Sequence, residues 1–170
     1  MDYFGVGNID IFAATIPQTA RLESLANTAL KRGIDLYMRQ DYEGAVKEFR
    51  RSIGLAPNSA YSTDASSFMA EAYLALGDTR SAVKAYEDAL KRNPQRDDIA
   101  ISLGNVHFAA EDYDEAAKAY EKAVSIWPSS GNHYALGQAY MNAGRYSDAD
   151  QEVNTVLRKD PDQPNGNYGL

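Results

Sequence analysis

Along the chain, small and apolar side chains recur at intervals of three and four. Ala45, Phe49, Ser52 and Ile53 form one such series and Ala116, Tyr120, Ala123 and Val124 another, the periodicity of a helix with one buried face. Both series belong to a longer pattern that repeats. A small residue, Gly33, Ala70, Gly104 or Gly137, is followed three positions on by Leu36, Tyr73, His107 or Tyr140. Twelve positions beyond each small residue stands an alanine, Ala45, Ala82, Ala116 or Ala149, and twelve beyond that a proline, Pro57, Pro94, Pro128 or Pro161. From each proline to the next small residue the count varies, being 13, 10 and 9. Helices packed on each other fix the spacing of their contact residues, whereas a surface turn accepts insertions cheaply. Each copy is therefore expected to be a helical hairpin, and each variable stretch the turn between hairpins.

The break inside each hairpin reads RQDYEGA, LGDTRSA, AEDYDEA or AGRYSDA. Asp41, Asp78 and Asp112 stand where a carboxylate can accept from the free amides of the second helix, and Asp112 with Glu115 has the spacing of a capping box. Lys91 with Arg92, and Arg158 with Lys159, fall near the ends of second helices, where cations complement the dipole. Proline then stops the helix. The small residue on the first helix permits close backbone approach, and the alanine on the second is expected to supply the matching gap.

This arrangement resembles the tetratricopeptide repeat family, a helix-turn-helix of about 34 residues with a spaced small, aromatic and alanine pattern ending in proline. The resemblance covers residues 26–59, 63–96, 97–129 and 130–163, leaving an apolar segment and helix start at 1–25 and a short stretch at 164–170. Departures are local: position 4, often Trp in the family, is Ala29, Ser66, Ala100 and His133, and His107 replaces an aromatic or leucine. The resemblance implies an all-α superhelix, a solenoid of four tandem hairpins whose first helices line a concave groove through positions 2, 5, 9, 12 and 13. Carried over residue by residue, the groove residues are Asn27, Leu30, Ile34, Tyr37 and Met38; Asp64, Ser67, Glu71, Leu74 and Ala75; Asp98, Ile101, Asn105, Phe108 and Ala109; and Gly131, Tyr134, Gln138, Met141 and Asn142. Of these, Leu30, Leu74 and Ala109 are equally suited to packing between hairpins. The implied role is a non-catalytic protein-interaction scaffold that holds a peptide or protein segment. Its groove charges are acidic, so a neutral or basic segment is favoured. Chaperone co-factors of the family grip a C-terminal carboxylate with a clamp of Lys, Asn and Arg; the matching positions here are Leu30, Ile34, Phe68, Asp98 and Ser102, so that mode is not expected.

Composition adds exclusions. The 170-residue chain has net charge -7, and its 17 Lys and Arg are scattered among acidic residues, so no basic stripe exists to track a nucleic acid backbone. Its apolar runs are a few residues long, short of the roughly 20 that span a bilayer. A soluble protein is expected. With Asp2 and Asp10 and no cation before Arg21, the start lacks the pattern of a secretory signal, and cytoplasmic placement is the expectation. The chain has no cysteine, and its two histidines, His107 and His133, fall at packing positions. The acidic run at 111–116 lacks the glycine and terminal glutamate of a calcium loop, and GVGN at 5–8 follows no strand and has no lysine. No enzymatic role, metal or cofactor is expected. Trp127 is expected to cover the seam of the next hairpin, with an exposed binding anchor as the alternative.

Both ends carry an open question. Tyr3, Phe4, Val6, Ile9, Ile11 and Phe12 precede the first hairpin and are too apolar to stand in water. Residues 2–14 are expected to cap the first hairpin or to dock in the groove of another copy, the latter making a self-assembling structural protein. From Thr15 one long helix is expected, with Thr15 and Gln18 as a capping box. At the other end Tyr168 and Leu170 match Tyr134 and Leu136 of the fourth copy, so 164–170 reads as a tail or as the start of a fifth hairpin, and the repeats as an arm of a longer multidomain protein are a further alternative.

Overall fold

The structure, a computed structural model, describes residues 17–159. The apolar start and the stretch after Lys159 lie outside the described residues, and with them the Thr15 half of the expected capping box. Among the described residues there are eight helices and no strand: α1 (Gln18–Met38), α2 (Tyr42–Leu55), α3 (Ala60–Ala75), α4 (Thr79–Arg92), α5 (Asp97–Ala109), α6 (Tyr113–Ile126), α7 (Ser130–Asn142) and α8 (Tyr146–Lys159). They follow one another as four hairpins. The chain divides into two compact units, Met1–Ala85 and Tyr86–Leu170.

In the first unit, α1, α2 and α3 close on a core of Leu30, Ala45, Val46, Phe49, Ala65 and Ala72. Gly33 is the point of closest approach: a Cβ there would lie 2.6 Å from Phe49 Cδ1, inside van der Waals contact. The alanine spacing thus works differently from the sequence expectation. Ala45 is fully buried, but the side chain that fills the space over Gly33 is the ring one turn further along α2. Phe49, at 0% exposure, also stacks on Phe68 of α3 at 6.0 Å between centroids, so one ring joins three helices. Burying such a ring is worth about 1.5–3 kcal/mol. Beside it, the buried Ser52 hydroxyl donates to the Ala26 carbonyl at 2.8 Å, tying α2 to α1. After α2, the Ser62 hydroxyl donates to the Pro57 carbonyl at 2.7 Å and closes the turn between hairpins.

The second unit repeats the device. Its core gathers Ala116, Ala117, Tyr120, Leu136, Ala139, Tyr140 and Ala149, and a Cβ on Gly104 would lie 2.6 Å from Tyr120 Cδ1. Gly137 is looser, with Glu152 Cβ at 3.4 Å. The Asn132 amide donates to the Trp127 carbonyl at 2.7 Å, closing the turn into α7 as Ser62 closes the turn into α3. Buried His133 sets Nδ1 2.6 Å from Glu152 Oε2, joining α7 to α8. The Tyr140 hydroxyl donates to Glu121 at 2.6 Å while the Arg145 guanidinium lies over its ring at 4.2 Å. Trp127 does not cover a seam: its side chain is 64% exposed, because it sits at the end of α6 in extended conformation (φ -136°, ψ 97°), where its backbone carbonyl, rather than its ring, makes the turn.

Each hairpin turn is built the same way. Gln40, Gly77, Glu111 and Gly144 occupy one repeat position and all have positive φ, 64°, 78°, 62° and 76°. Their amides donate to the carbonyls of Tyr37, Leu74, Phe108 and Met141, and the next amides, of Asp41, Asp78, Asp112 and Arg145, donate to Leu36, Tyr73, His107 and Tyr140. This is the Schellman closure of a helix end. The residue completing the closure also opens the second helix. Asp41 Oδ1 accepts from the Gly44 amide at 2.9 Å and Asp78 Oδ1 from the Ser81 amide at 3.0 Å, and bonds from Ser81 hold the Asp78 carboxyl below its ordinary value.

Asp112 departs from this. It makes no side-chain cap bond, and its carboxylate lies 3.9 Å from His107 Nδ1. Glu115, the other half of the expected capping box, is taken by Lys118 at 2.6 Å, a bond that holds its carboxyl below the ordinary value. At the start of α1, Pro17 makes no side-chain cap, though its carbonyl accepts from the Arg21 amide at 3.1 Å.

Left-handed backbone at a residue with a Cβ costs about 1–2 kcal/mol, so Gln40→Gly and Glu111→Gly are each expected to stabilise the fold by about 0.5–1 kcal/mol, and Gly77→Ala to destabilise it by about 1 kcal/mol. Nothing lies within 4 Å of a Cβ on Gly77, so the effect there is conformational, and urea-unfolding midpoints check both signs. Gly33→Ala is expected to cost about 1–3 kcal/mol by overpacking against Phe49, measured the same way; an unchanged midpoint would show that the ring moves freely.

Candidate functional site

Helical spacing sets Asn27, Ile34, Tyr37 and Met38 along one stripe of α1, and Ser67 and Glu71 along the matching stripe of α3. Both helices belong to the first unit, where they pack side by side. Asn27, Ile34, Tyr37, Ser67 and Glu71 are partly buried and Met38 is 77% exposed. Ile34 and Tyr37 lean on the core cluster. The Tyr37 ring meets Tyr42 edge-on at 5.4 Å. Its phenol is held above the ordinary value, first by burial and then by the negative charge of Glu71 on α3, the helix packed beside α1. Leu74, three residues after Glu71, is 37% exposed.

In the second unit the corresponding stripes are Ile101, Asn105 and Phe108 on α5, and Tyr134, Gln138, Met141 and Asn142 on α7. Ile101, Phe108 and Met141 pack against the core cluster while keeping a partly exposed edge. Phe108 meets Tyr113 edge-on at 5.3 Å, the counterpart of the Tyr37–Tyr42 pair. Asn105, Gln138 and Asn142 are exposed, yet each is partly engaged. Asn105 Oδ1 accepts from the Tyr120 hydroxyl at 2.8 Å, the Gln138 amide donates to the Tyr134 hydroxyl at 2.6 Å, and the Asn142 amide donates to the Gln138 carbonyl at 2.9 Å. Free amide capacity remains on all three, since a side-chain amide offers two donors and one acceptor oxygen.

Sequence reasoning missed the tyrosines at the first position of the second helices, Tyr42 and Tyr113. Each follows an aspartate in the turn, and a turn is where an aromatic is least expected to pack. The signal that could have found them is the recurrence of Asp-Tyr with an aromatic five residues before the tyrosine.

The acidic groups assigned to these faces differ in availability. Asp98 is held by Arg96 through two contacts of 2.8 Å, a pairing that keeps its carboxyl below the ordinary value. Among the described residues no three or more His, Cys, Asp or Glu side chains stand together as a metal ion would require, and no helix there is long and apolar enough to cross a membrane.

Two family models, each described as tetratricopeptide repeat, match residues 69–131 and 107–168. Together they span more than half of the chain, and the chain belongs to the tetratricopeptide repeat family. Solved structures agree in fold. A crystal structure of the MamA protein superposes with a TM-score of 0.69 at 24% identity, covering 85% of this chain and 77% of that one. A further MamA crystal structure gives 0.68 at 20% identity over 94% and 97%, and a MamA chain from Desulfovibrio magneticus RS-1, from position 41 to its end, gives 0.64 at 22% over 81% and 77%. No curated relative matches the chain. Tetratricopeptide repeat proteins are generally non-catalytic interaction scaffolds, and this chain has the helical-repeat fold of that family.

Burial pushes the Tyr120 phenol up to about 12. The neutral phenol is the form the fold favours, so its contribution to stability is complete below the ordinary value of 10.0 and is lost as pH rises toward about 12. Urea midpoints measured across that window should fall for the native protein and fall less for Tyr120→Phe. Because Asn105 receives the Tyr120 hydroxyl, Asn105→Ala is expected to cost about 1 kcal/mol of stability, whereas Met38→Ala, at an exposed position, should leave the midpoint within about 0.5 kcal/mol.

Proposed function

We propose that the chain binds an extended peptide or protein segment, neutral or basic in charge, against the first-helix stripes, α1 with α3 in the first unit and α5 with α7 in the second. One observation carries the reading. The same repeat position, occupied by Tyr37, Leu74, Phe108 and Met141, holds a large apolar side chain in all four hairpins and leaves it partly exposed in each. Tyr37, Phe108 and Met141 pack against a core cluster on one side, and water disfavours the apolar edges left exposed at this position. Amides stand beside it at Asn27, Asn105, Gln138 and Asn142 and supply donors and acceptors of the kind an extended backbone needs. Tyr134 and Ile101 add contact area, and Ser67 and Glu71 the polar edge. The net charge of -7 disfavours an acidic segment and steers a basic one in.

Panning a display library of random linear peptides on the full chain tests this. Selected peptides are expected to weaken by about tenfold or more on Met38→Glu and on Gln138→Ala, with the unfolding midpoints unchanged. Peptides that bind both variants as well as the native chain would place the binding face elsewhere and sink the proposal.

A further inference from the structure

Glu71 stands apart from the other acidic groups of the first unit. It lies on α3 between Ser67 and Leu74 and is partly buried, yet among the described residues its carboxylate makes no ion pair and no hydrogen bond. Asp35, on α1, is paired with Arg39 at 3.1 Å. Lys31, exposed on α1, makes no pair with Glu71. On the stripe of α1, the helix packed beside α3, stands the Tyr37 ring, held edge-on by Tyr42 at 5.4 Å, with Ile34 and Leu74 as apolar residues on the same two stripes. The repeat position that Glu71 occupies is Ile34, Asn105 and Gln138 in the other hairpins, so the charge is particular to this hairpin.

Building on the peptide-binding reading above, we propose that Glu71 and the Tyr37 ring form a receptor for one lysine or arginine side chain of the bound segment. A half-desolvated carboxylate without a partner is a cost that an incoming cation removes. An aromatic ring beside it adds attraction for an ammonium or guanidinium group, and Ile34 and Leu74 offer apolar surface to the methylene stem that carries the charge. Burial holds the Glu71 carboxyl above its ordinary value, and a docked cation would draw it down again. Charge also decides between occupants. Residues 1–16 of this chain carry Asp2 and Asp10 and no Lys or Arg, so the chain's own apolar start is a poor match for this face, and a basic segment of a different protein is the occupant.

The test is library panning on the native full chain and on Glu71→Gln, followed by measured affinities of the selected peptides and of the same peptides with lysine replaced by norleucine. Lys or Arg should be enriched in the native selection. Glu71→Gln should weaken the basic peptides by about tenfold and leave the norleucine forms unchanged, and added salt should weaken only the former. Peptides selected without Lys or Arg, or basic peptides indifferent to Glu71→Gln, would overturn the receptor while leaving groove binding intact if Met38→Glu still abolishes it. Recovery of no binding peptide would overturn both. Equal urea midpoints for the native chain and Glu71→Gln show that folding is not the cause of any loss.

Discussion

The contact on which the first and third hairpins depend is a ring lying against a bare backbone. Phe49 over Gly33, and Tyr120 over Gly104, occupy space that any Cβ on the first helix would fill. Because the ring sits one turn beyond the buried alanine of the second helix, alanine and ring together set how close the helices come, and the constant spacing from small residue to alanine follows. The ring then serves the next element as well. Phe49 reaches Phe68 of α3, so the geometry inside the first hairpin and the packing of the second hairpin's first helix upon it share one side chain. A change at Gly33 is felt in both. The first-helix stripes stay available because the apolar capacity of the hairpin is spent inward, on the side of the ring.

The turn joining the two helices is equally economical. One residue in left-handed conformation ends the first helix, and the next residue both closes that end with its amide and opens the second helix with its side chain. Asp41 and Asp78 perform both tasks, their carboxylates accepting from the amide of the residue three positions on, Gly44 or Ser81. Asp112 performs the first task and not the second. The position three residues on is Glu115, an additional negative charge that Lys118 draws off along α6, and the Asp112 carboxylate lies toward His107 instead. Arg145 completes the series by reversing it: the cation stands at the capping position and reaches Asp148 at 2.7 Å. The backbone closure is common to all four hairpins, while the side-chain cap is a local matter decided by which charges compete nearby.

That distinction explains how much of the molecule could be read from its residues. The hairpins, their order and their turns followed from spacing, because spacing records backbone approach, and backbone approach tolerates few substitutions. That a ring fills the space over Gly33 and Gly104 was not legible, since periodicity alone cannot tell the residue that lines a gap from the one that fills it. Trp127 was misplaced for a different reason. A tryptophan beside proline is apolar enough to be expected inside, but the extended backbone at the end of α6 turns its ring outward and uses its carbonyl for the turn. The candidate face was legible as a set of positions and not as a set of roles. That Asn105 is bonded to a core tyrosine, or that Asp98 is spent on Arg96 while Glu71 is not, depends on which long side chains meet, and no spacing rule carries that.

The same contrast bears on how a shared framework acquires a particular partner. Framework positions converge across the hairpins: the buried alanines are all alanine, and the turn residues share one backbone conformation. On the face, one position is large and apolar in all four hairpins, whereas the position held by Ile34, Glu71, Asn105 and Gln138 is apolar, acidic and twice amide. Residues that the fold does not need in common are free to differ. The two sets are not independent, however. Tyr120, which fills the gap over Gly104, donates its hydroxyl to Asn105, so one end of this side chain builds the hairpin and the other orients an amide on the face. A segment bound there would meet a group already fixed by the core, which lowers the ordering cost of binding and ties recognition at that hairpin to the close approach of its helices.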